Sequence, residues 1–218
     1  MNVTIYPCEG STKVGYVLCP MGIELDRLAK EYGMHLVEVV VDNWDNDLTP
    51  WGAPGVFPQD SPFQGLASQT LETLRKDVFP EVERRLGLSG EFERDIVGIS
   101  LSGLFAVWAW MQGVDFKNIA SISGSFWYEG FPEWLEKTDA KVRKQGFAYL
   151  SLGDKEGETK VKAFKSVVED TAKVEEILRA NGADVVFEWT QGTHFAPMLP
   201  RLEKALRALT GNQAQSKN

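Results

Sequence analysis

Histidine and cysteine are scarce in this chain, with two of each among 218 residues. Cys8 and Cys19 have no partners at metal-type spacing, which excludes a cysteine-held zinc cluster and a disulfide framework; both are read as buried thiols. No apolar run approaches the roughly 20 residues that a membrane-spanning helix requires. The first residues, Met1-Asn2-Val3-Thr4-Ile5-Tyr6, lack the charged start and apolar core of a secretory leader, so the expected location is cytoplasmic. Positive charge is also in deficit: the net charge is −8, with a pI near 4.9. A phosphate backbone or an anionic membrane would be repelled, so neither nucleic acid nor a membrane is an expected partner. The 43% hydrophobic and 25% charged content is that of an ordinary globular protein.

What is abundant is alternation. Short runs rich in Val and Ile, at Val3–Tyr6, Tyr16–Cys19, Leu36–Val41, Asp95–Ile99, Ile119–Ile122, Ala148–Leu152 and Val185–Trp189, read as strands. Helical patterns lie between them at Ile23–Tyr32, Leu66–Leu86 (with Pro80 inside it), Thr159–Ala180 and Met198–Leu209. Strands separated by helices imply a mostly parallel, doubly wound sheet in a three-layer α/β/α domain. The turn cluster Glu9-Gly10-Ser11-Thr12 predicts a hairpin between the first two strands. A single domain over residues 1–210 is expected, with residues 211–218 a disordered tail. The segment Asp42–Gln64 breaks the rhythm: it has no periodicity, yet holds Trp44, Trp51, Phe57 and Phe63 between four prolines. A loop that long after a strand end predicts a pocket wall.

The chemistry begins at Val97-Gly98-Ile99-Ser100-Leu101-Ser102-Gly103, where a β run meets a helical run with a serine at the join. Such a turn lifts a hydroxyl above the sheet, at the positive end of the following helix. It needs small residues two before and two after the serine, because the backbones approach closely. Around Ser100 these are Gly98 and Ser102; around Ser102 they would be Ser100 and the bulky Leu104. If one serine is a nucleophile, it is Ser100. A capping serine at an ordinary strand–helix turn is the alternative.

A serine hydroxyl needs a base to take its proton. His35 opens a strand and reads as structural, whereas His194 lies in Gln191-Gly192-Thr193-His194-Phe195-Ala196-Pro197, after the last strand. The acid that would orient it is sought in Gly153-Asp154-Lys155-Glu156-Gly157-Glu158, at the end of another strand. One carboxylate from there gives the order serine, acid, histidine along the chain.

These segments resemble the α/β-hydrolase superfamily, in particular the esterase branch that includes enterochelin-type, feruloyl and antigen-85-like enzymes. The resemblance is carried by Gly98–Ala106, by Leu150-Ser151-Leu152-Gly153-Asp154-Lys155-Glu156, by Gly192-Thr193-His194-Phe195 and by Asp47-Leu48-Thr49-Pro50-Trp51, and covers about Tyr16 to Leu209. It implies an α/β-hydrolase fold, with Ser100 as nucleophile and His194 as general base. Members often place the acid three residues after the strand-ending glycine, which implies Glu156, with Asp154 as the alternative. Ser102 departs from the pattern, in which a second glycine is common there.

Oxyanion donors are expected from the backbone N–H of Leu101 and from the loop after the second strand, with Met21 or Gly22 as candidates. Pro20 has no N–H. Trp44, Trp51 and Trp127 are candidate substrate-binding residues; Phe126, Tyr128 and Trp134 lie in similar positions. Trp108 and Trp110 read as core, and Ser123 and Ser125 as lining the site or capping a turn. The function expected is a serine carboxylesterase working through an acyl-enzyme on a small-molecule ester, with no metal and no cofactor. Acyl transfer by the same residues, or a non-catalytic binding protein on the same fold, are the alternatives.

Overall fold

A computed structural model of the chain describes residues 1–18, 24–113, 116–138 and 146–211. Among the described residues, seven strands form one sheet: β1 (Asn2–Tyr6), β2 (Lys13–Leu18), β3 (His35–Val40), β4 (Glu93–Ile99), β5 (Asn118–Ile122), β6 (Phe147–Gly153) and β7 (Asp184–Thr190). Their order is β1-β3-β2-β4-β5-β6-β7, so β4 is central and β7 is an edge. All neighbours are parallel except β1 and β3. This is the expected doubly wound sheet.

The expected β1–β2 hairpin does not form. β1 runs antiparallel to β3, from Asn2 opposite Val40 to Tyr6 opposite Leu36. The reason lies in burial. Val14 to Leu18 of β2 are all buried, so this strand needs a neighbour on each edge and takes β3 and β4. β1 alternates exposed and half-buried residues and suits the rim. The intervening turn is pinned by His35, whose Nδ1 accepts from the Cys8 N–H at 3.0 Å and whose Nε2 lies 3.0 Å from the Ser11 carbonyl. Cys8 is therefore half-buried at a turn and not in the core, a correction to the sequence expectation. Cys19 lies outside the described residues.

Helices α1 (Leu25–Tyr32) and α8 (Met198–Leu209) cover one face, packing Leu28, Tyr32, Leu202 and Leu206 with Val17, Val97 and Tyr149 of the sheet. The other face is covered by α3 (Ala67–Thr73), α4 (Phe79–Leu86), α5 (Leu101–Met111), α6 (Phe131–Lys137) and α7 (Val167–Ala180). Every residue of α5 is buried, Trp108 and Trp110 included. A helix apolar on all sides is a core helix, and this one packs against β4 and β5.

Several boundaries differ from the sequence pattern. The helix expected over 66–86 is interrupted at Leu74–Val78 by a wide π turn, in which the Phe79 N–H reaches the Leu74 carbonyl. That turn lets the chain accommodate Pro80, which has no N–H to give, near the start of α4. The helix expected from Thr159 begins only at Val167; one 3₁₀ turn, Lys162–Phe164, precedes it. The segment expected to lack regular structure contains a four-residue helix α2 (Trp44–Asp47), capped by the Asn43 side chain on the Asn46 N–H at 3.1 Å. A bridge between Ala53 and Phe63 closes its far end. Of the expected tail, residues 212–218 lie outside the described ones. Among the described residues, no helix is long and apolar enough to cross a membrane.

Candidate active site

The end of β4 carries an unusual backbone. Ser100 has φ 59° and ψ −121°, a conformation that costs a non-glycine residue on the order of 1–3 kcal/mol and persists only when its surroundings impose it. The imposition is visible at Gly98, where a Cβ would lie 1.9 Å from the Ser102 carbonyl oxygen. Ser102 is buried, and its hydroxyl is fully engaged: it donates toward the Leu18 carbonyl at 2.6 Å and accepts from the Ile99 N–H at 2.7 Å. Ser100 is the cap residue of α5, its carbonyl accepting the Leu104 N–H at 3.1 Å while its hydroxyl makes no hydrogen bond to the helix. The Leu101 N–H, in the first turn of α5, has no partner within the helix.

β6 ends at Gly153, and a 3₁₀ turn over Glu156–Glu158 folds the Glu156 side chain back inward. β7 ends at Thr190 and the following loop brings His194 over the same end of the sheet. The three side chains meet. His194 Nε2 is 3.0 Å from the Ser100 Oγ, and His194 Nδ1 is 2.9 Å from Glu156 Oε2. An ionised carboxylate only accepts, so Nδ1 carries the proton and Nε2 is the acceptor facing the hydroxyl. The Ser125 Oγ, 3.3 Å from that of Ser100, completes the hydroxyl's surroundings.

Glu156 is buried, its side chain 2% exposed. Its second oxygen, Oε1, accepts from the Ser123 hydroxyl at 2.6 Å, from the Gly153 N–H at 2.7 Å and from Arg201 Nη1 at 3.2 Å. Burial by itself would raise this carboxyl. The hydrogen bonds from His194, Ser123 and the Gly153 N–H outweigh burial and hold it below the usual carboxylate range. Asp154, the alternative acid, points elsewhere: it is exposed and its Oδ1 accepts the Gly192 N–H at 2.8 Å, bracing the turn before His194. Met21 and Gly22, the other oxyanion candidates, lie outside the described residues.

Ser100, Leu101 and His194 open onto a cavity of about 690 Å³. Trp44, Val56, Phe57, Trp127, Phe164 and Phe195 furnish most of its apolar wall, and Trp127 packs on Phe164 with ring centroids 4.6 Å apart. Phe195 is 90% exposed at the rim, beside the His194 ring. Of the tryptophans expected to meet substrate, Trp44 and Trp127 line this cavity and Trp51 does not. Trp51 packs on Tyr128, Phe131 and Trp134, and its indole N–H donates to the Glu129 carbonyl at 2.9 Å. It braces the loop behind the wall. Phe126 and Tyr128 are likewise buried in that aromatic layer. His35 is remote from the cavity and fixed by the contacts of the β1–β2 turn. Among the described residues no group of three His, Cys, Asp or Glu side chains could hold a metal ion.

Sequence reading passed over Arg201, which is 3% exposed. A signal was present: Arg201 falls in helical register with Ala205 and Leu209, both on the buried stripe of α8.

A layered α/β sheet with a strained serine after its central strand is the framework of an α/β hydrolase. Solved structures bear out the fold. An IroE-like serine hydrolase from Shewanella oneidensis superposes with a TM-score of 0.78 at 18% identity, over 96% of this chain and 75% of its own. The siderophore hydrolase EstB of Aspergillus nidulans gives 0.74 at 17% identity, over 97% and 91%. The family model Esterase, described as "Putative esterase", matches residues 18–203, and the chain belongs to that family. The uncharacterised protein YbbA of Bacillus subtilis strain 168 is 28% identical over 149 residues, which are 67% of this chain; the chain spans 59% of YbbA's length.

Proposed function

We propose that the protein is a serine carboxylesterase in which Ser100 is the nucleophile, His194 the general base and Glu156 the acid that orients it. The observation that carries this reading is the unbroken line of contacts from the Ser100 hydroxyl through His194 to a buried, ionised Glu156, at the mouth of an apolar cavity. In the first step the Ser100 Oγ attacks the ester carbonyl carbon while His194 Nε2 takes its proton. The carbonyl oxygen becomes an oxyanion, met by the Leu101 N–H, with Met21 or Gly22 supplying the second donor. Each such donor is worth about 10²–10³ in rate. Collapse expels the alcohol, which leaves with the proton from His194, and Ser100 is acylated. Water, deprotonated by the same imidazole, then releases the acid and restores the serine.

The wall of the cavity suits an apolar acyl group, with Trp44 and Trp127 as its binding surfaces. The His194 side chain is 32% exposed, so water has access to the base; this favours hydrolysis over transfer to another alcohol. A cytoplasmic site of action belongs to the same reading and accords with a chain of two cysteines.

The test is labelling with a fluorophosphonate, combined with turnover of a short p-nitrophenyl ester by the wild type and Ser100→Ala. Labelling at Ser100 and loss of turnover by at least about 10⁴-fold in the variant are expected. Retained turnover in Ser100→Ala removes the nucleophile assignment. Absence of turnover and labelling in the wild type favours the binding-protein alternative.

A further inference from the structure

Behind the site lies an arginine that no step of the proposed reaction uses. Arg201 projects from the first turn of α8 into the protein, its side chain 3% exposed. Burying a guanidinium is costly unless its donors are matched; here both terminal nitrogens are matched and Nε has no hydrogen-bond partner. Nη1 donates to the Ser123 Oγ at 2.8 Å and to Glu156 Oε1 at 3.2 Å. Nη2 donates to the carbonyls of Thr193 at 2.9 Å and Gln191 at 3.2 Å. One planar group thus joins the segment after β5, the carboxylate after β6 and the loop after β7 that carries His194. Room for it is provided by Gly153, where a Cβ would lie 2.8 Å from Arg201 Nη2 and 2.9 Å from Glu156 Oε1.

We infer that Arg201 is a positioning residue of this esterase: its fork fixes the His194 loop against Glu156, and its charge offsets the buried carboxylate. The inference rests on the assignment of Ser100, His194 and Glu156 made above. Two separable effects follow from the geometry. The fork needs two nitrogens in one plane, one for Ser123 and Glu156 and one for the loop carbonyls, which a lysine ammonium cannot supply together. The charge acts differently. A carboxylate paired only with His194 would bind a proton more tightly and would also hold the imidazolium more tightly. With Arg201 on its other oxygen, Glu156 can orient His194 without overcharging it, and the imidazole stays available as a base.

Other charges facing the group are fewer and more distant in role. Lys155, Glu158 and Asp45 line the cavity on the solvent side. Asp154 is engaged by the Gly192 N–H. Tyr149, whose hydroxyl donates to Glu188 at 2.8 Å, feels the Arg201 charge from the sheet side, and Glu188 is paired with Lys204.

The experiment is the pH dependence of kcat/KM for a p-nitrophenyl ester in the wild type, Arg201→Met and Arg201→Lys. Arg201→Met should move the acid limb to higher pH by about one unit. Arg201→Lys should keep the limb in place while lowering kcat at least about fivefold. A purely structural role would reduce the folded fraction and leave both limbs where they are. Limbs that coincide in Arg201→Met and the wild type overturn the inference, as does an Arg201→Lys limb displaced as far as that of Arg201→Met. Should Arg201→Met fail to fold, Arg201→Lys decides: a limb in place with reduced kcat supports the inference, and unreduced kcat or a moved limb overturns it. Fluorophosphonate labelling of Ser100 in the wild type separates the two levels, since its absence defeats the underlying assignment and not the role of Arg201 alone.

Discussion

Ser102 donates its hydroxyl to the Leu18 carbonyl at 2.6 Å and thereby ties the turn after β4 to the end of the neighbouring strand β2. Two residues earlier, Ser100 sends its hydroxyl to His194 instead. The two serines of one turn are thus divided between holding the turn and facing the cavity. Replacing Ser102 by alanine strands the Ile99 N–H and the Leu18 carbonyl without that partner. A loss of about 1–3 kcal/mol in unfolding free energy is expected, with Ser100 still labelled by fluorophosphonate. Denaturant unfolding of the two alanine variants side by side checks this: Ser100→Ala should be no less stable than the wild type.

The two carboxylates of the loop after β6 separate by contact. Glu156→Gln removes the charge that orients His194 and should lower kcat by roughly 10²–10⁴-fold, with KM little changed. Asp154→Asn loses only the charge on a brace to the Gly192 N–H, and its amide oxygen can still accept; kcat should stay within about threefold of the wild type. Steady-state kinetics on both variants discriminate, and equal losses would remove the assignment of Glu156.

At the far end of β4, Asp95 is fully buried. Its Oδ1 accepts from the Asn118 backbone N–H at 3.0 Å and side-chain amide at 2.8 Å, while Oδ2 has no hydrogen-bond partner. Burial pushes this carboxyl up to about 7, against a partial opposing effect of the Asn118 bonds. The folded state therefore holds a proton that the unfolded chain gives up near pH 4. Stability contributed by this group is complete below the unfolded value, declines as pH rises, and is lost above about 7. Asp95→Asn cannot ionise. Its stability relative to the wild type should improve between pH 5 and pH 8, by on the order of 1 kcal/mol or more. Thermal melts at the two pH values measure it.

Trp127 and Trp51 divide wall from brace. Trp127→Ala should raise KM for esters with long acyl chains about tenfold, more than for acetyl esters, because one face of the cavity is removed. Trp51→Ala should instead cost about 2–4 kcal/mol of stability through its contacts with Tyr128, Phe131 and Trp134, leaving the chain-length preference unchanged. A chain-length series with melts of both variants checks the division.

How much of this could be read in advance varied with distance along the chain. The inner strands were legible because burial on both faces leaves a short, nearly continuous apolar run, as in Ile96-Val97 or Ile119-Ala120. The turn at Ser100 was legible because close packing restricts residue size at Gly98 and Ser102. The partner of β1 was not, since turn residues report a local reversal while pairing answers to the burial of β2 on both of its edges. Helix starts at Val167 and the break at Leu74–Val78 were hidden because charged, amphipathic sequence continues through both. Trp44, Trp51 and Trp127 look alike as loop aromatics; only packing separates a wall from its support. Arg201 was overlooked because arginine on a terminal helix ordinarily lies in solvent.

The sheet order carries a last consequence. Ser100 leaves the central strand, whereas His194 follows β7, which among the described residues has a neighbour on one side only. Edge strands open at lower free energy than the middle of a sheet. Warming should therefore unseat the imidazole while the serine and its buried helix are still in place. Inactivation would run ahead of the unfolding of the core, and would reverse on cooling as the outer strand closes again.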